Sequence, residues 1–173
     1  MTKFLLIFFL CYSLNSVCTA QKLTPGLLKI NNKRFKVSQS RLKNPVNEKI
    51  ILTNMDYKYA EVSPKVKNLS AFPMQKKDIH FDIAKVKELI YHIVSNKLSI
   101  LKSKKETLAL QFIFDQNGNL KDIGYILFRK TALDLKDINE IDANLKQKIK
   151  ASYSGTDYLQ YEEINYSYPT IVF

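Results

Sequence analysis

The sequence predicts an α+β fold, an antiparallel sheet with two helices packed on it. Three observations carry that expectation. LALQFIFD and LKDIGYILF alternate apolar and polar residues on either side of Asn117-Gly118. Residues 83–94 and 135–149 instead repeat their apolar positions every three or four residues, the helical period. The closing run INYSYPTIVF alternates again, so the order is strands, helix, hairpin, helix, strand.

The chain opens with MTKFLLIFFLCYSLNSVCTA: one Lys, a short apolar core, then small residues. This pattern reads as a signal peptide over residues 1–20, cleaved after Ala20. A membrane helix needs about 20 consecutive apolar residues, and the core is much shorter. Cys18 lacks the Leu and small residue that precede a lipid-attachment cysteine, so a lipoprotein is the less favoured reading. The expected location is therefore outside the cytoplasm, in the periplasm or at the cell surface. Both cysteines, Cys11 and Cys18, lie in this leader. Residues 21–173 then contain no disulfide, no thiolate metal site and no Cys nucleophile, and they must be held by a core.

Charge is uneven along a chain of formal net charge +11. Residues 21–50 hold eight Lys/Arg against one Glu, whereas residues 106–173 hold seven against ten Asp/Glu. Residues 21–49 read as a basic, loosely ordered arm, followed by a single α+β domain over 50–173. Lys29, Lys33, Arg34, Lys36, Arg41 and Lys43 are its candidates for contact with an anionic surface, lipid or lipopolysaccharide rather than nucleic acid. The plainer reading, and the favoured one, is solubility. Within the arm, LLKINNKRFKV forms a short hairpin about Asn31-Asn32, with Ile30 and Phe35 as anchors. KIILTN is the next strand, and Pro64 and Pro73 interrupt the connection after it.

The first helix begins at Asp82, an N-cap preceded by Phe81, which can staple onto Val86. Asn96 is the expected C-cap, and Leu98 to Leu101 reads as a short strand. At the central hairpin, a two-residue type I′ turn at Asn117-Gly118 pairs Leu108 with Leu127, Leu110 with Tyr125 and Phe112 with Ile123. All six share one face with Phe114, so turn chemistry and burial agree on the register. The second helix carries Leu135, Ile138, Ile141, Leu145 and Ile149, with Asp134 as cap and Asp137 three residues on. In the last run, Pro169 cannot donate to a ladder and belongs at an edge or bulge.

Catalytic signals are weak. Asp115, Asn117 and Asn119 imitate a calcium loop, but Leu120 and Ile126 stand where its glycine and bidentate acid belong. Asp78, His80 and Asp82 form the sharpest acid–base cluster, the basis of an alternative reading as an envelope hydrolase. Capping and loop roles explain it more simply. There is no G-x-S-x-G, H-E-x-x-H or P-loop, and only four glycines in the chain. No cofactor or metal is implied. Tyr153, Tyr158, Tyr161, Tyr166 and Tyr168 crowd the end of the chain and read as half-buried strand aromatics rather than a glycan-binding face. Asn68-Leu69-Ser70 and Asn165-Tyr166-Ser167 are formal glycosylation sequons.

FIFDQNGNLKDIGYILF, the helix LKDINEIDANLKQKIK and the end INYSYPTIVF together resemble the C-terminal domain of TonB-type energy transducers. They are also similar to small exported bacterial proteins that reuse that domain. The resemblance covers the last third of the chain and implies a hairpin–helix–strand unit that meets a peptide of an outer-membrane protein. The expected function is then a non-catalytic binding or adaptor module of the bacterial envelope. Its expected mechanism is strand addition at an edge formed by Ile164, Asn165, Tyr166, Ser167 and Tyr168.

Overall fold

The computed structural model describes residues 21–40, 48–60, 62, 64, 66–67 and 74–173. The expected leader with Cys11 and Cys18, the basic residues Arg41 and Lys43, and the sequon at Asn68 lie outside the described residues. The fold is α+β. Seven antiparallel strands form the main sheet: β1 (Gly26–Ile30), β2 (Lys33–Gln39), β3 (Lys49–Asn54), β5 (Thr107–Phe114), β6 (Leu120–Phe128), β8 (Ile164–Ser167) and β9 (Ile171–Val172). Their spatial order is β1-β2-β3-β6-β5-β8, with β9 also paired to β5. A separate ribbon joins β4 (Ile79–His80) to β7 (Ser152–Tyr153).

The central hairpin has the register expected from its apolar pattern: Leu108, Leu110 and Phe112 face Leu127, Tyr125 and Ile123. The turn itself differs. Gly118 alone takes positive φ, at +79°, and Asn117 does not. Asp115 and Asn119 instead bracket a three-residue loop, closed by hydrogen bonds from Gly118 N to Asp115 O and from Asp115 N to Asn119 O. The Asp115 carboxylate accepts from the backbone N–H groups of Asn117 and Asn119, an arrangement that favours this longer loop. The pairing slips by one between Ile113 and Phe114, which faces Leu120. That bulge returns the residue added in the loop, so the rest of the ladder is unchanged.

Three helices are present among the described residues, where two were expected: α1 (Ile83–Ile93), α2 (Leu98–Ser103) and α3 (Leu135–Lys148). Asp82 caps α1 by accepting from Lys85 N, and Asp134 and Asp137 close a capping box on α3. Phe81 does not simply staple α1. Its ring reaches under the sheet to Phe112, Phe114 and Tyr166. Leu98 to Leu101 is helical rather than extended, and α1 ends on Val94 rather than Asn96. The physical reason is Lys97, whose ammonium lies 2.6 Å from Asp134 and 2.5 Å from Asp137. That bridge draws the 95–97 turn onto the start of α3 and carries the chain straight into another helical turn. Leu101 is thereby buried.

Residues 26–39 are not a loose arm. Asn31 and Asn32 both take positive φ in the expected two-residue turn, and β2 pairs with β3 along five positions. Leu28, Phe35 and Val37 enter the same core as Leu52 and Tyr125. The sheet therefore runs straight across the expected boundary at residue 50.

Under α3, the core contains charge. Asp142 is 1% exposed and accepts from Lys33 at 2.8 Å and from Lys146 at 2.9 Å. Lys146 also reaches Asp122, which accepts a further bond from Asn54. Burial pushes the Asp122 carboxyl above its ordinary value, against the bonds from Asn54 and Lys146. Every acid in this network has a cation or donor, which is the condition under which buried charge is tolerated.

A Cβ on Gly118 would stand 1.8 Å from Ala151 O, because Ala151 N donates to Gly118 O at 2.8 Å. Gly118→Ala is therefore expected to cost more than about 1 kcal/mol in denaturant unfolding, through both φ and the clash. A variant as stable as the wild type would show that the hairpin tip is not held as described.

Candidate functional site

The last strand forms the far edge of the sheet. β8 pairs with β5 from Gln111↔Ser167 to Phe114↔Ile164, and β9 resumes after a one-residue shift about Pro169 and Thr170. Tyr168 N donates to Leu110 O at 3.0 Å. Alternation along the ladder then turns the main-chain groups of Tyr166 and Ile164 toward β5, and those of Asn165 and Ser167 away from it. Among the described residues no strand pairs with that outer side of β8. Of the five residues expected at the edge, only Asn165 and Ser167 have exposed side chains. Ile164, Tyr166 and Tyr168 face inward because the apolar half of the alternation belongs to the core. Tyr168 lies beyond the strand, and its hydroxyl donates to Ile83 O.

Beside β8 lies a pocket of about 390 Å³. Tyr59, Val62, Pro64, Ile113, Glu163 and Asn165 line it. The Glu163 side chain is 4% exposed, and its Oε2 has no hydrogen-bond partner among the described residues. Lys58 stands 4.0 Å from Oε1, but its ammonium is engaged with Glu162 at 3.1 Å and lies over the Tyr59 ring. Burial pushes the Glu163 carboxyl from its ordinary 4.5 up to about 7. Glu163 carried no signal in the sequence: the alternation of β8 places it on the polar side with Asn165 and Ser167, where burial is not expected.

The other expected sites are dispersed. Lys29 and Lys36 are exposed on the outer face of the β1–β2 hairpin beside Leu27, which is 65% exposed. Arg34 shares that face but is paired with Asp56 at 2.6 Å. Lys33 points the other way and holds Asp142, so it is no part of a basic surface. Asp142 marks what the sequence could have revealed: it lies four residues after Ile138 and three before Leu145, on the buried stripe of α3.

Asp78, His80 and Asp82 do not converge. Asp82 caps α1, and Asp78 O accepts from Ser154 N. His80 Nε2 is 2.6 Å from Ser154 Oγ in an exposed setting. A working nucleophile–base pair also needs a group that orients the imidazole and donors for an oxyanion, and no hydrogen bond to the second His80 nitrogen is found among the described residues. The Asp115 carboxylate is held below its ordinary range by the bonds from Asn119 and Asn117, which outweigh its burial. Those bonds occupy it as part of the turn.

No protein-family model matches the chain, and no curated protein matches it. A solved structure of a DUF5043-family protein from Bacteroides uniformis is similar, with a TM-score of 0.66 over 90% of this chain and 88% of that one. The two are 11% identical, so the likeness shows the α+β fold alone.

The Glu163 shift has a definite sign. A folded-state value above the unfolded one means that the native state holds the proton more tightly, so stability falls as pH rises from about 4.5 to about 7. Glu163→Gln is expected to remove that part of the pH dependence and to melt above the wild type at pH 8. Thermal melts of both from pH 4 to pH 8 check this, and parallel profiles would contradict it.

Proposed function

We propose that this chain is an exported, non-catalytic binding module that takes up an extended segment of a cell-envelope protein along β8. The observation that carries the reading is the edge where Asn165 and Ser167 direct main-chain groups away from the sheet, unpaired among the described residues. An incoming strand would accept from their N–H groups and donate to their carbonyls, extending the sheet by one strand. The resemblance of the C-terminal third to TonB-type domains and the signal-peptide pattern of residues 1–20 support the same reading. β8 has only four residues and Pro169 interrupts the edge soon after, which limits pairing between copies of the chain.

Magnitudes limit what this edge achieves alone. Four main-chain hydrogen bonds contribute on the order of 1 kcal/mol each, whereas association costs at least about 4 kcal/mol. Side chains of the partner must supply the surplus. The test is capture from an envelope extract, followed by amide exchange on the bound protein. Asn165 and Ser167 amides are expected to become protected, while those of Ile164 and Tyr166, already directed at β5, change little. Capture without protection at 165 and 167 would contradict the reading, as would failure to retain any partner.

A further inference from the structure

We infer that the pocket beside β8 receives a basic side chain of the captured segment, with Glu163 as its counter-ion. The inference rests on strand capture for the source of that side chain, but the pocket stands on its own geometry. Ile113 on β5 and Asn165 on β8 are directly paired, so their side chains share one face of the sheet. A residue added opposite Asn165 would project on that same face, toward the Glu163 pocket. Register therefore selects one position of the partner for this contact.

The chemistry of the lining selects the kind of side chain. Glu163 Oε2 is buried without a donor, a state that costs free energy until one arrives. An apolar side chain would leave it unpaired, and an acidic one would add repulsion. A lysine or arginine would supply the missing donor as a charge-assisted hydrogen bond. The Tyr59 ring offers a face to a cation, already used by Lys58 at 4.3 Å, and Tyr57 packs against Tyr59 with centroids 5.8 Å apart. Lys58 is largely exposed and closer to Glu162 than to Glu163, so it leaves the deeper carboxylate oxygen unserved. Val62, Pro64 and Ile113 would line the alkyl stem.

The probe is n-butylammonium, with n-butanol as its uncharged analogue, titrated into the full chain at pH 8 and followed by amide and carboxyl NMR. Among the described residues, the charged group nearest Glu163 is Lys58, which also meets Glu162, and the Tyr59 ring lines the same pocket. n-Butylammonium is expected to shift the Tyr59, Ile113 and Asn165 amides saturably and to lower the Glu163 titration point. n-Butanol should bind at least tenfold more weakly. Glu163→Gln should weaken the amine by at least tenfold, and if that variant does not fold, the wild type at pH 5, where Glu163 is protonated, should show the same loss. Equal binding of amine and alcohol, or amine binding unchanged in Glu163→Gln and at pH 5, would overturn the assignment. Edge protection at 165 and 167 without amine binding would remove the pocket and leave strand capture. Amine binding without edge protection would keep the pocket as a cation site and discard its proposed source.

Discussion

The register of the β5–β6 hairpin is the constraint on which the rest of the molecule depends. It places Leu108, Leu110, Phe112, Ile123, Tyr125 and Leu127 on one face, where they are buried almost completely. α3 packs on β6 from that side and α1 packs on α3, so the helices cover the face the register selects. The opposite face is left with Ile126 and Val172 partly in water. One sheet face is core, and the other is only partly covered, by residues such as Tyr59, Val62 and Pro64 beside Ile113 and Asn165. A slip of one residue would exchange the two faces, which is why the bulge at β6 and the loop at Asp115 must compensate each other.

Much of this was legible in the sequence because it is local. Two alternating runs and an Asn-Gly pair suffice to align Phe112 with Ile123, even though the loop is one residue longer than expected. The compensation hides the error: burial decides the register, and the turn adapts to it. Asp82 and Asp134 were readable as caps because their chemistry involves neighbours three residues away. What escaped depends on distant partners. Lys33 looks like any other lysine of a basic stretch until Asp142, more than a hundred residues later, is brought beneath it. Residues 26–39 looked like an arm because Leu28, Phe35 and Val37 are separated by Lys and Arg, and only their pairing with β3 reveals them as core. Leu98 to Leu101 became helix through Lys97 and its bridge to α3, a contact no window of sequence contains.

The chain buries carboxylates in two contrasting ways. Asp142 and Asp122 lie within a closed network in which Lys33, Lys146 and Asn54 meet their oxygens, so the network specifies how α3 sits on the sheet. Glu163 is buried with one oxygen unmet, at the point where the sheet ends. The first arrangement is complete within the protein. The second lacks a donor among the described residues, and it lies beside β8, one of the two edge strands of the sheet. Two unmet requirements at one place, of different kinds, are the grounds on which we propose the β8 end of the sheet as a binding site.

The most direct test of that account compares Ser167→Pro with Ser167→Ala. Proline removes the outward N–H and bars a further strand, yet it is tolerated at a sheet edge because residue 167 turns away from β5. Alanine removes only the hydroxyl and its bond to Gln111. The account predicts that both variants fold, that Ser167→Ala still captures its envelope partner, and that Ser167→Pro does not. Undiminished capture by a folded Ser167→Pro variant would contradict it.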